Sequence, residues 1–142
     1  EDFFMYKEDV DISWRLRLYG WDILYAPTLI AYHERGSGES ASLRYRDILK
    51  ERRRIGRLAK SLSWRNQRLT QVKNELPVLY LRHFNRIFIK EIASLFYILL
   101  FERYALQSMR DFFSLLPRAL KKRKIIMSKK RRGYSEMAQW FQ

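Results

Sequence analysis

The chain has no cysteine, two histidines, three prolines and five glycines in 142 residues. Without cysteine there is no disulfide and no thiolate metal site, so a reducing compartment is permitted. Acid is scarce: 15 Asp and Glu face 29 Lys and Arg, for a net charge of +14. Long apolar runs are missing too. Ile92 to Phe101 is a ten-residue run with Ser94 as its one strongly polar member, half of the roughly 20 residues a spanning helix needs. That run is read as a buried bundle helix, as a helix lying in the membrane plane, or as a partner-binding element.

Apolar residues make up 47% of the chain and aromatics 15%. This composition is not that of a disordered segment, and the length fits one ordinary domain with a modest core. The opening Glu1-Asp2-Phe3-Phe4-Met5-Tyr6 has no basic start leading into an apolar run, so it is not a signal peptide. It reads as the interior of a folded unit. Charge is unevenly placed: residues 1–34 hold seven acidic and three basic side chains, and the remainder holds 26 basic and eight acidic. An acidic end serves a metal or acid–base chemistry, while a basic end suits phosphate in lipid headgroups, nucleic acid or substrate. Bulk charge does not choose among these partners.

Periodicity orders the chain. Asp2 to Tyr6 reads as a strand end or buried loop. A helix follows from about Val10 to Tyr19, with Val10, Trp14 and Leu18 on one face and Gly20 placed to end it. Trp21–Tyr25 and Leu29–His33 read as extended runs around the Ala26-Pro27-Thr28 turn. The glycine- and serine-rich stretch 35–40 is the clearest boundary, dividing 1–38 from a helical, basic 39–142. Helices are expected over Ser42–Ser63, from Pro77 to about Ala105, and from Leu106 to a stop near Pro117, with Trp64–Asn74 either continuing the first as helix or forming a short break. A short amphipathic helix is expected at Tyr134–Phe141. Lys121–Arg132 reads either as a solvated tail or as a contact for anionic lipid.

The chemistry concentrates in Phe3-Phe4-Met5-Tyr6-Lys7-Glu8-Asp9-Val10-Asp11-Ile12-Ser13-Trp14-Arg15. Read alone, Glu8 and Asp9 are carboxylates at the positive end of a helix, and Asp11–Arg15 is an i,i+4 surface pair. Trp14 and Trp21 are core residues or walls of a pocket. His33 alone reads as a strand-end histidine with a satisfied hydrogen bond.

The wider pattern resembles the C-terminal signature of family 2 glycosyltransferases, rhamnosyltransferase-like members in particular. It is carried by Phe3, Phe4, Tyr6, Glu8, Asp9, Asp11, Ile12 (where Leu is usual), Arg15 and Gly20. Trp21–Pro27, Ala31-Tyr32-His33, Arg65-Asn66 and Lys73-Asn74 extend it. The resemblance implies an α/β fragment: the acceptor-side end of a GT-A, Rossmann-like domain in 1–38, followed by a mostly helical extension. It also implies an inverting transferase that moves a sugar from a nucleotide-sugar donor to a saccharide or lipid-linked acceptor in cell-envelope synthesis. The nucleotide-binding half would lie upstream, leaving this part inactive alone.

On that resemblance Asp9 is the base that takes the acceptor proton, and Glu8 supports the loop or contacts the acceptor. Asp11, Arg15 and Trp14 are substrate-binding or orienting residues, Asp11 and Arg15 by holding the helix and orienting the base. Arg15 either holds the helix or reaches the diphosphate. His33 becomes a ligand for Mg²⁺ or Mn²⁺, together with an Asp-x-Asp motif upstream. The expected location is cytoplasmic and peripheral, on the inner face of the cell membrane, with no nucleic-acid partner. The rival reading is a basic helical module, binding nucleic acid or a membrane surface without catalysis.

Overall fold

A computed structural model describes residues 3, 5–24, 27, 28, 50 and 53–140 of the chain. Six α-helices lie wholly within the described residues: α1 (Glu8–Leu18), α2 (Arg57–Asn74), α3 (Pro77–Arg82), α4 (Phe84–Phe101), α5 (Leu106–Ser128) and α6 (Tyr134–Ala138). A 3₁₀ turn at Arg103–Ala105 links α4 to α5.

Helix α2 is the axis of the fold. Three cross-contacts fix the direction of α4: Lys60 pairs with Glu102, Trp64 bonds Ser94 and Arg68 pairs with Glu91, so α4 runs back antiparallel to α2. Trp64 meets Phe112, Leu69 meets Ala119 and Val72 meets Arg123, so α5 runs parallel to α2 on another side. Phe3, Leu69 and Ala119 are the buried centre of that seam. A second cluster of Leu18, Leu76, Leu79, Ile126 and Met137 gathers the ends of α1, α3, α5 and α6.

Local chemistry explains the helix ends. In α1, Glu8, Asp9 and Asp11 occupy the first turn and Arg15 and Arg17 the last, each sign matched to its end of the helix dipole. Gly20 takes φ +92°, and the amides of Gly20 and Trp21 reach Arg17 O and Leu16 O, the paired bonds of a Schellman end. Helix α2 stops where Glu75 and Leu76 turn extended before Pro77, which then opens α3.

The expected α/β architecture is corrected: the described residues contain helices and no strand. Trp21–Leu24 carries no regular structure, with Trp21 and Leu24 exposed. An extended run needs a neighbouring strand to satisfy its backbone, and no described segment offers one. Tyr25, Leu29–His33 and the boundary at 35–40 lie outside the described residues. So does most of 42–52; Lys50, Arg53 and Arg54 are helical, and Ile55–Gly56 interrupts before α2.

The helix expected from Pro77 to Ala105 is broken at His83 (φ −104°, ψ 11°). Helix α5 does not stop at Pro117 but runs 23 residues through it. Ser108, Ala119 and Ile126 are buried along it, and tertiary packing outweighs the helix penalty of one proline. The basic run is helical as far as Ser128, and the amides of Arg131 and Arg132 then bond Leu18 O at 2.9 and 3.1 Å.

Candidate functional site

The acidic motif begins on an unusual turn. Tyr6 and Lys7 both hold left-handed backbone, at φ 69° and 71°, a conformation that side chains with a Cβ rarely adopt. Asn66, fully buried on α2, holds this turn by donating Nδ2 to Met5 O at 2.7 Å and to Tyr6 O at 2.9 Å. One helix turn away, Phe3 is buried against Leu69, and the Lys73 ammonium lies 4.0 Å from its ring centre. Strain of this kind persists where surrounding contacts determine the backbone, and such places cluster at functional sites.

Asp11 fixes α1 onto α2. Its side chain is inside the protein and accepts three hydrogen bonds: Oδ2 from Arg15 at 2.7 Å and Lys73 at 2.9 Å, and Oδ1 from Asn74 Nδ2 at 2.7 Å. The Asp11–Arg15 pair expected from spacing is present, but its carboxylate is not at the surface. Burial pulls the Lys73 ammonium below its ordinary pKa, Asp11 pulls the other way, and Arg15 and Lys122 add to the lowering. A charge held inside like this needs a partner with good geometry, and Asp11 supplies it.

With Asp11 anchored, the opposite side of α1 faces a cleft of about 410 Å³. Asp9, Val10, Ser13, Trp14 and Arg17 of α1 line it with Gln67 of α2, Met137 and Trp140. Asp9 is exposed and lines this cleft, with Oδ1 accepting from the Val10 amide at 2.8 Å. Arg17 lies flat on Trp140, its guanidinium carbon 3.7 Å from the ring centre. Trp14 reaches from the cleft wall to the Leu18–Met137 cluster. Glu8 is exposed at the start of α1. His33 lies outside the described residues.

A second cleft of about 510 Å³ lies across the same turn, with Tyr6, Lys7, Trp64, Gln67, Arg68 and Glu91 among its walls. Gln67 faces both clefts. Arg68 stacks 3.7 Å above the Trp64 ring and pairs with Glu91. Burial draws its pKa down and Glu91 partly restores it.

The structure thus brings Glu8, Asp9, Asp11, Trp14 and Arg15 together on α1, with Asp9 and Trp14 on the cleft and Asp11 and Arg15 behind it. Among the described residues no group of three or more His, Asp or Glu side chains could hold a metal ion. The metal expectation therefore depends on His33 and on residues outside that set.

The sequence motif includes Asn66, Lys73 and Asn74 but gives them no task. Their spacing, with Leu69 and Thr70, is one helix face, and all five are buried. A polar stripe at core spacing is the signal that they reach another segment. Gln67, Arg17 and Trp140 carry no such signal. Trp140 arrives only because α6 folds back onto α1 and α3.

No family model, no curated protein and no solved structure matches the chain.

Proposed function

We propose that the chain carries the acceptor side of an inverting, nucleotide-sugar-dependent glycosyltransferase. One observation supports this reading above the others: the exposed Asp9 lines a cleft together with Trp14 and Trp140, on a helix held in place from behind. Indole rings suit the apolar faces of a sugar ring; Arg17 covers one face of Trp140, and Ser13 and Gln67 add polar groups to the lining. An acceptor hydroxyl in that cleft gives its proton to Asp9 as its oxygen bonds to the anomeric carbon. The bond from that carbon to the nucleoside diphosphate breaks in the same displacement.

The remaining motif residues fall into supporting parts. Asp11, Arg15, Lys73 and Asn74 keep α1 from rotating on α2, and Asn66 sets the turn that presents Glu8 and Asp9. The two segments that carry the resemblance, 3–20 and 65–74, meet through these bonds. The donor nucleotide would be held by residues other than these. A divalent cation, Mg²⁺ or Mn²⁺, with His33 as one ligand belongs to the same reading and would neutralise the leaving diphosphate. So does peripheral attachment to the inner face of the cell membrane. Among the described residues no helix is long and apolar enough to cross a membrane.

The test is Asp9→Asn in the full-length protein, read as nucleoside diphosphate released from a panel of nucleotide sugars in the presence of a lipid-extract acceptor. Transfer should fall about 10²–10⁴-fold, the usual contribution of a positioned base, with the melting temperature unchanged because Asp9 is exposed. Transfer at the wild-type rate removes Asp9 from the role of base.

A further inference from the structure

Helix α4 presents a mixed face to α2 and a broad apolar face away from it, and the fold covers only the first. Toward α2 it places Ile98, Ser94, Glu91 and Ile87. The opposite face carries Ile89, Ile92, Ala93, Phe96, Leu99 and Leu100 at helical spacing, all exposed, with Ile89 at 68%, Phe96 at 62% and Leu100 at 66%. A contiguous exposed apolar face of this kind ordinarily marks an interaction surface. The outer surface continues into α3 through Val78 and Leu81, and through a row of rings in which Tyr80 meets Phe84 and Phe84 stacks on Phe88.

The charges beside this face say what covers it. From Leu76 to Phe101 the one acid is Glu91, turned inward to Arg68. Arg82, Arg86 and Lys90 are exposed, and on the helical wheel Arg86 and Lys90 follow one edge of the apolar face. An edge of one sign, aromatic side chains and an apolar outer face are the marks of a helix lying in a lipid headgroup region. A self-associating face would line its seam with like charges from both copies. Charge argues against spanning: α4 is about 27 Å long but contains Arg86, Lys90 and Glu91 within its 18 residues.

We propose that α4 lies in the plane of an anionic membrane surface, its outer side chains in the headgroup–acyl boundary and Arg86 and Lys90 against lipid phosphates. This deepens the membrane part of the preceding reading and moves the contact away from the basic run at 121–132. Part of that run is already used within the fold: Arg123 bonds Val72 O, and Arg132 bonds Gly20 O and pairs with Asp22. Sugar transfer plays no part in the argument.

The experiment is co-sedimentation of the full-length protein with vesicles of phosphatidylcholine alone and of phosphatidylcholine with phosphatidylglycerol, without any sugar donor. Wild type should pellet with the anionic vesicles. I89D/F96D/L100D should lose that binding by at least about tenfold, since its charges stand where apolar atoms would enter lipid. R86Q/K90Q should weaken binding to anionic vesicles about thirtyfold, at roughly 1 kcal/mol per cation, and leave binding to neutral vesicles as it was. K121Q/K124Q should bind like wild type.

A milder variant, F96W, gives a second readout that does not depend on the triple variant folding. Its added tryptophan should be quenched by brominated phosphatidylcholine in anionic vesicles. Any of four results overturns the proposal: wild type left in the supernatant with both vesicles, a folded triple variant that pellets like wild type, an unquenched F96W, or a wild-type dimer in solution that the triple variant dissolves. Asp9→Asn that is inactive but still pellets leaves this inference intact, and a failure here leaves the role of Asp9 intact.

Discussion

Asp11→Asn is the substitution from which the fold's central bond network can be measured. The native carboxylate accepts from Arg15, Lys73 and Asn74 at 2.7 to 2.9 Å, and Asp11 and Lys73 are 2% and 3% exposed. Asparagine keeps one acceptor oxygen for those donors and turns an amide toward the others. It also leaves the Lys73 ammonium buried with no opposite charge. Removing one partner of a buried pair costs about 3–5 kcal/mol, which for a domain of this size lowers the melting temperature by about 15 °C. Lys73→Met removes the stranded cation while Asp11 keeps Arg15 and Asn74, and should cost about 1–2 kcal/mol. In the double variant the introduced amide faces no buried ammonium, so the combined loss should fall short of the sum by about 1–3 kcal/mol. Urea unfolding followed by circular dichroism on the four proteins of the cycle gives these numbers. An Asp11→Asn loss under about 1 kcal/mol, or single losses that simply add, would show that the three bonds do not act as one network.

The other expectations follow from single features. Burial raises the Glu75 carboxyl to about 7, with the Leu76 amide and Arg123 pulling it down only in part. The folded state therefore holds this proton more tightly than the unfolded chain, and stability should fall as pH rises from about 4.5 to 7. Glu75→Gln should flatten that slope and be more stable than wild type above pH 7, by about 1–2 kcal/mol after allowing for the partly open site; equal pH profiles would refute it. Lys7→Asn should stabilise by about 0.5–1 kcal/mol, because asparagine accepts left-handed backbone more readily than lysine; a loss in thermal melting would mean that the lysine stem packs usefully. Pro117→Ala restores an amide inside α5 and should add about 1–3 kcal/mol, unless a melting temperature at or below wild type shows that the ring shapes the seam with α2.

Which of these features could be read in advance depends on the range of the physics behind them. The start and end of α1 were legible because a dipole-matched charge pattern and a glycine end are local, and so was the opening of α3 at Pro77. The Asp11–Arg15 pair was legible as spacing, but its burial was not. Spacing along α1 does not say that α2 will lay Lys73 and Asn74 against the same carboxylate. The break at His83 and the passage through Pro117 went against local expectation for opposite reasons. His83 carries no breaker chemistry, and Pro117 carries it but is overruled by the residues α5 buries against α2. The extended run beginning at Trp21 was the weakest expectation, since a strand is defined by its neighbour.

By itself the sequence determined a cysteine-free, strongly cationic chain with an acidic helix start, a cleanly terminated first helix and a largely helical remainder, because composition, charge and capping act within a few residues. The tertiary structure alone decided that Asn66, Lys73 and Asn74 reach back to the acidic motif. It also decided that Trp140 closes Asp9's cleft and that one face of α4 is left uncovered. Each of those depends on which surfaces meet after long loops close, and no periodicity along the chain encodes that choice.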